Sequence, residues 1–253
     1  MKFRVLPSAL AAMMGLSLGG ASAQAQQAGS HVFNAQQCGA IVDIVRQALK
    51  DDPSILVDAM QSLRQKSMER QQAQNLVGVR ANWQAISTAP SYSVRGNPAG
   101  SVTVVEFLDP RCGYCRRMAP LVDAFIARHP DVRLVEKVVP VLGPASVLAS
   151  RAIYAAALQG HYDGMRRAVM EETSKPDENA LKDMARQQGL NVAKFMQDLS
   201  NPAVAGLITT NLGQAQAVGL DGTPTFVFGQ AAVAPGAMSA EQMDRLFDAA
   251  KGR

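Results

Sequence analysis

The spacing of apolar residues changes character several times along this chain. Val5 to Leu18 is a predominantly apolar run of 14 residues behind Lys2 and Arg4. From Ala35 to Lys50 the apolar positions Cys38, Ile41, Val42, Val45, Ala48 and Leu49 recur at helical spacing, and Asn34 with Gln37 offers a cap at the start. Asp51-Asp52-Pro53 closes this helix and opens a second, with Leu56, Ala59, Met60 and Leu63 on one side. The pattern then fails. Glu69 to Asn75 is almost wholly polar, which predicts an exposed helical stalk or linker, because a helix polar all round has no face to bury. Leu76, Val77, Trp83 and Ile86 resume apolar contacts before Pro90.

From Ser91 onwards the period shortens. Val102, Val104, Val105 and Phe107 predict a strand, Cys112 to about Arg128 a helix, and Val132 to Val139 a second strand. Residues 145–218 read as a run of helices punctuated by Gly160, Lys175-Pro176, Gly189 and Asn201-Pro202. Thr225 to Phe228 and Ala231 to Ala234 read as a hairpin around Gly229-Gln230, and Ser239 with Gln242 caps a last helix. Strand, helix, strand, helical insertion, hairpin and helix together predict an α/β domain with helices added in its middle.

Composition supports a folded chain. With 47% hydrophobic and 18% charged residues over 253 positions, disordered and collagen-like chains are excluded. The first run carries the small-residue sites Ala21-Ser22-Ala23 and Ala23-Gln24-Ala25, the pattern of a cleaved secretory signal over residues 1–25. A membrane anchor is the alternative, but the run falls short of the roughly 20 residues that span a bilayer. Losing Lys2 and Arg4 takes the net charge from +4 to +2, so no strong attraction to nucleic acid or lipid follows. The expected organisation is a signal peptide over 1–25, an N-terminal helical segment and stalk over 26–90, and the α/β domain over 91–253. The helical hairpin over about residues 34–68 is too small to bury a core alone. Packing against another copy is favoured, because the polar stretch separates it from the second domain; docking onto that domain is the alternative.

Three cysteines cannot build a four-thiolate zinc site, and His31, His129 and His161 give no mixed ligand spacing, so neither a structural metal nor a cofactor is expected. The chemistry concentrates at Cys112-Gly113-Tyr114-Cys115, directly after a strand and opening a helix. Two cysteines at this spacing can form a reversible disulfide. Unpaired N–H groups at the helix start favour the Cys112 thiolate, by about one pKa unit or less, and Arg111, Arg116 and Arg117 are local candidates for further help. Cys115 is the natural resolving partner. Cys38 shares the apolar face of Ile41, Val42 and Val45 and reads as a buried small hydrophobe. An intermolecular disulfide or a transient copper ligand are the alternatives.

Val105-Glu106-Phe107, Cys112-Gly113-Tyr114-Cys115 and Met118-Ala119-Pro120 resemble the thioredoxin fold, and the helical insertion resembles its DsbA-like branch. The resemblance covers about residues 91–251. It implies that Glu106 is a buried acid taking the proton from Cys115, that Lys137 pairs with that acid, and that Pro120 kinks the first helix. Gly222-Thr223-Pro224-Thr225 matches the loop whose cis-proline faces the dithiol, where Thr223 backbone groups would pair with a substrate strand. With Gly113 and Tyr114, Thr223 and Pro224 would form the substrate-binding surface.

The motif implies thiol–disulfide exchange but not its direction. Potentials within the superfamily run from about −120 to about −270 mV, a span of about 7 kcal/mol. Gly113-Tyr114 and the Thr before Pro224 resemble DsbC-type isomerases, and an N-terminal self-associating segment ahead of a DsbA-like domain resembles the ScsC-like group. The resemblance implies an isomerase or reductase of wrongly paired or reduced secreted proteins in the periplasm. It also implies a homo-oligomer kept reduced by a membrane thiol reductase of the DsbD/ScsB type. A DsbA-like dithiol oxidase is the nearer alternative, and Cu(I) binding by Cys112 and Cys115 in copper tolerance the farther one.

Overall fold

The computed structural model describes residues 33–172, 174 and 176–252; the signal segment expected over residues 1–25 lies outside them. The chain divides into two compact units, one up to Met60 and one from Gln61 onwards.

In the first unit, α1 (Ala35–Asp51) starts at a reciprocal cap. The Asn34 side chain accepts the Gln37 N–H at 2.9 Å, and the Gln37 side chain accepts the Asn34 N–H at 2.8 Å. The Asp52 carboxylate accepts the Ser54 N–H at 3.0 Å where α2 (Ser54–Ser87) begins. α1 buries none of its residues, and Ile41, Val42, Val45, Leu56 and Met60 are exposed. Cys38 is exposed too, which corrects its reading as a buried small hydrophobe. Its helix face exists as the spacing predicts, within a unit whose apolar positions are exposed.

In the second unit, α2 stays helical through the polar stretch and then lies against a sheet. Val79 and Ile86, two helical turns apart, are fully buried among Val105, Phe107, Val135 and Val227, with Trp83 packed beside them. Close approach requires Gly78, whose Cβ would stand 3.0 Å from the Ala217 carbonyl oxygen. The compact unit therefore begins well before Ser91, where the sequence pattern put the start of the α/β domain. The stripe that belongs to the core continues upstream of Pro90.

The sheet holds β1 (Val94–Gly96), β2 (Val102–Leu108), β3 (Val132–Val138), β4 (Thr225–Phe228) and β5 (Ala232–Pro235) in the order β1-β3-β2-β4-β5. β2 and β3 run parallel, joined through α3 (Gly113–Arg128), and every other pair is antiparallel. Side chains alternate between faces along each strand. Val104, Leu134 and Phe226 pack with Val122 and Phe125 of α3 and Phe247 of α9 (Ala240–Lys251); Val105, Val135 and Val227 face α2. Between β3 and β4 come α4 (Pro144–Ala157), α5 (Tyr162–Glu171), α6 (Glu178–Gln187), α7 (Val192–Asp198) and α8 (Pro202–Ala217). Their core gathers on the alanine-rich α4 and reaches Cys112 and Cys115. This is the thioredoxin arrangement with a helical insertion, as expected. The three-residue β1 carries no alternation long enough to read and was not anticipated.

Replacing fully buried Ile86 by Ala should cost the full-length protein about 2–5 kcal/mol in urea denaturation. A loss within about 0.5 kcal/mol, as at a surface position, would show that the end of α2 lies outside the cooperative unit.

Candidate active site

The redox motif sits where β2 hands over to α3, with Cys112 as the extended residue just ahead of the helix. The loop carrying it is fixed by Asp109. This fully buried carboxylate accepts the N–H groups of Arg111 at 2.7 Å, Val141 at 2.8 Å and Leu142 at 3.0 Å, and the Ser146 hydroxyl at 2.8 Å. Its carbonyl accepts the Cys112 N–H at 3.0 Å. Asp109 thus ties the dithiol loop to the segment that leads into α4. Sequence reasoning passed it over, although an Asp beside Pro at the exit of a strand is a turn-forming signal.

Cys112 and Cys115 are unbridged and buried, with 6% and 0% of their surface exposed. The Cys112 thiol donates to the Thr223 carbonyl oxygen at 3.2 Å, and the Thr223–Pro224 peptide is cis, so the expected loop faces the dithiol. Burial opposes ionisation of Cys112. Hydrogen bonds from the Cys115 backbone, the Thr223 side chain, the Cys115 thiol and the Tyr114 backbone outweigh it and lower the thiol below its ordinary value. Cys115 goes the other way. Burial, then the neighbouring Cys112 and Glu106 charges, push it well above the ordinary thiol range. Tyr114 is exposed, with the Arg117 guanidinium 4.3 Å from its ring centre. A Cβ on Gly113 would meet nothing closer than Arg117 at 3.7 Å, so the backbone does not demand glycine there. Pro120 lies within α3, as anticipated.

Glu106 is buried on the sheet face that turns towards α3, and burial followed by repulsion from Glu136 raises its carboxyl to about 8. Lys137 is not its partner. The parallel register sets Glu106 opposite Glu136 and Phe107 opposite Lys137, so the lysine belongs to the other face of the sheet. There its ammonium donates to the Thr88 carbonyl oxygen at 2.5 Å, and burial lowers it to about 8. The residue beside the acid is Glu136. Its carboxylate accepts Arg95 at 2.9 Å and the Tyr162 hydroxyl at 3.1 Å, and lies 3.4 Å from Arg166. Sequence reasoning missed Glu136, Arg95 and Arg166. The spacing of Tyr162 and Arg166 on one helix face was the available signal.

Two measurements follow from these environments. Alkylation of the reduced protein near neutral pH should strike Cys112 far faster than Cys115; equal rates, read by mass spectrometry, would contradict the asymmetry. Glu106 binds a proton in the folded state between its ordinary carboxylate range and about pH 8, whereas the unfolded chain has released it. Its contribution to stability therefore falls as pH rises through that window, at the slope of one proton per molecule. Glu106→Gln should flatten that slope in denaturation curves recorded at a series of pH values.

Among the described residues no helix is long and apolar enough to cross a membrane. The protein family described as the DSBA-like thioredoxin domain matches residues 103–248. Among solved structures, a thioredoxin-like oxidoreductase from Silicibacter pomeroyi is 36% identical, with a TM-score of 0.63, covering 67% of this chain and 98% of that one. BcfH from Salmonella enterica Typhimurium is 25% identical with a TM-score of 0.71, covering 86% and 97%. Proteus mirabilis ScsC in a transitional conformation, 24% identical with a TM-score of 0.62 over 87% and 97%, shares the fold. A 134-residue stretch is 33% identical to a Na(+)/H(+) antiporter NhaA of Herminiimonas arsenicoxydans, covering 53% of this chain and 21% of that protein. The chain spans about a fifth of the length of the curated relatives it matches. With the family match spanning more than half of the sequence and the cis-proline loop facing an unbridged Cys-Gly-Tyr-Cys pair, this chain belongs to the DsbA-like thioredoxin domain family.

Proposed function

We propose that this protein is a periplasmic thiol–disulfide oxidoreductase that acts as an isomerase or reductase on wrongly paired disulfides of secreted proteins. The observation that carries thiol–disulfide exchange is the inequality of the two thiols, Cys112 eased towards the thiolate and Cys115 held protonated, while the isomerase direction is drawn from the resemblance of Gly113-Tyr114 and Thr223 to DsbC-type isomerases. Only Cys112 is a ready nucleophile. Cys112 attacks a substrate disulfide, one substrate sulfur leaves as a thiolate, and a mixed disulfide joins Cys112 to the other. A substrate thiolate then attacks that bond and releases Cys112 with the substrate re-paired. Alternatively, Cys115 gives its proton to Glu106 in its ionised form and attacks Cys112, which reduces the substrate and leaves Cys112 and Cys115 bridged. A membrane thiol reductase of the DsbD/ScsB type would restore the dithiol.

The rim suits incompletely folded clients. Tyr114, Val141 and Leu142 are exposed apolar side chains around the loops that Asp109 joins. The Thr223 carbonyl beside Cys112 offers main-chain pairing that tolerates any client sequence. The open apolar positions of α1 and the start of α2 support self-association, which would set two or more dithiols around one client and raise their effective concentration. The apolar run at residues 5–18 supports export, with the mature chain acting in the periplasm without membrane insertion and without nucleic acid. One observation favours the oxidase alternative: stabilising the Cys112 thiolate also stabilises the reduced enzyme, as in a strong oxidant. Cu(I) binding draws less support, because among the described residues no third His, Cys, Asp or Glu joins Cys112 and Cys115 in a ligand cluster.

Cys112→Ala should abolish exchange, whereas Cys115→Ala should accumulate mixed disulfides with clients on non-reducing gels. Reactivation of a disulfide-scrambled secreted enzyme then separates the readings. The Ile41→Glu/Val45→Glu variant should lose reactivation while still reducing a small disulfide. If wild type and variant instead both only oxidise reduced clients, the protein is a dithiol oxidase.

A further inference from the structure

The acid beside the dithiol sits in an electrostatic setting of its own. Glu106 and Glu136 face each other across the β2–β3 pair, on the side of the sheet turned towards α3. Arg95 of β1 reaches Glu136 at 2.9 Å and also bonds Asp123 of α3. Arg166 of α5 stands 3.4 Å from Glu136 and 2.8 Å from Asp163. The side chains of Glu136, Arg166 and Arg95 are only 0%, 2% and 14% exposed. One buried and one half-buried cation, Arg166 and Arg95, are thus shared among Glu136, Asp123 and Asp163 before Glu106 is counted. Cys115 of α3 and Tyr162 of α5, whose hydroxyl donates to Glu136, also titrate here; Tyr154 of α4 lies within electrostatic reach of Glu136, and Arg116, Arg167 and Glu171 line the cleft that holds Asp123 and Arg166. β4 sets uncharged Phe226 opposite Glu106. No hydrogen bond or ion pair among the described residues reaches the Glu106 carboxyl.

We propose that the Arg95–Glu136–Arg166 cluster is a positioning device for the redox pair, in which Glu136 is a fixed anion that engages both guanidiniums and so leaves Glu106 a neutral acid beside Cys115. The inference rests on the reading of Glu106 as the proton carrier of Cys115. When an incoming thiolate opens the disulfide at Cys112, the electrons of the S–S bond leave on Cys115. Glu106 gives its proton to that sulfur and becomes a carboxylate; on closing, the carboxylate takes the proton back as Cys115 attacks. A carboxylate already paired with Arg95 or Arg166 would have no proton to give. Glu136, Arg95 and Arg166 touch no client in this scheme and act only through Glu106.

The test is an infrared titration of the reduced full-length protein, following the carbonyl stretch of the protonated carboxyl that disappears in Glu106→Gln. In Glu136→Gln both guanidiniums lose their main anion and act on Glu106, so its titration midpoint should fall by about one to three pH units. The pH profile of mixed-disulfide release by Cys115 should move with it. An unmoved or raised midpoint would overturn the cluster's part. Asp123→Asn, at a side chain 45% exposed, removes only one outer carboxylate and preserves the buried pairs. It should lower the midpoint in the same direction by less, and it carries the test should Glu136→Gln fail to fold; no fall would again overturn the proposal. The underlying reading fails separately, if Glu106→Gln leaves the kinetics of the Cys115 step unchanged.

Discussion

Most of what this site does depends on the parallel pairing of β2 with β3. That register decides which side chains share a face, and a slip of one residue would exchange the two faces of a strand. As paired, it puts Glu106 next to Glu136 under α3 and sends Lys137 to the far side, where Thr88 holds it. It also delivers Asp109 to the end of β2 within reach of Val141 and Leu142 beyond β3, so one carboxylate can fasten both chain reversals. The dithiol is then displayed at the end of the strands whose other residues make the core.

The two thiols show how burial and hydrogen bonding divide one chemistry between neighbours. Cys112 is nearly as buried as Cys115, yet donors at the start of α3 and Thr223 offset the loss of water around its thiolate. Cys115 lies one helical turn deeper and has the charges of Cys112 and Glu106 against it. In the proposed exchange, sequence position therefore separates attacker from resolver, through geometry rather than through any difference of side chain.

Much of this was legible before the structure. The strand–helix–strand unit, the helical insertion and both capping boxes follow from periodicity and cap chemistry, whereas the buried acid and the cis-proline loop came from the family resemblance alone. What escaped was non-local. Lys137 was assigned by resemblance to a family lysine that pairs with the acid, but facing is set by register, and register is a property of two strands together. Arg95 sits in a strand of three residues, too short to announce itself, and Arg166 looks like one more charge on an amphipathic helix. The start of the second unit was misplaced because a polar stretch and a proline look like a boundary. A two-residue stripe such as Val79 and Ile86 is a weak signal even when both are fully buried.

The Asp109 clamp has a mechanical consequence. Val141 and Leu142 present exposed apolar side chains while their backbone N–H groups are anchored to the carboxylate whose own main chain holds Cys112. On the proposed function, a client pressing on those side chains would load the same hydrogen-bonded piece that holds Cys112. One carboxylate would thus make the two loops a single jaw, so that contact at its lip would be felt at the tooth.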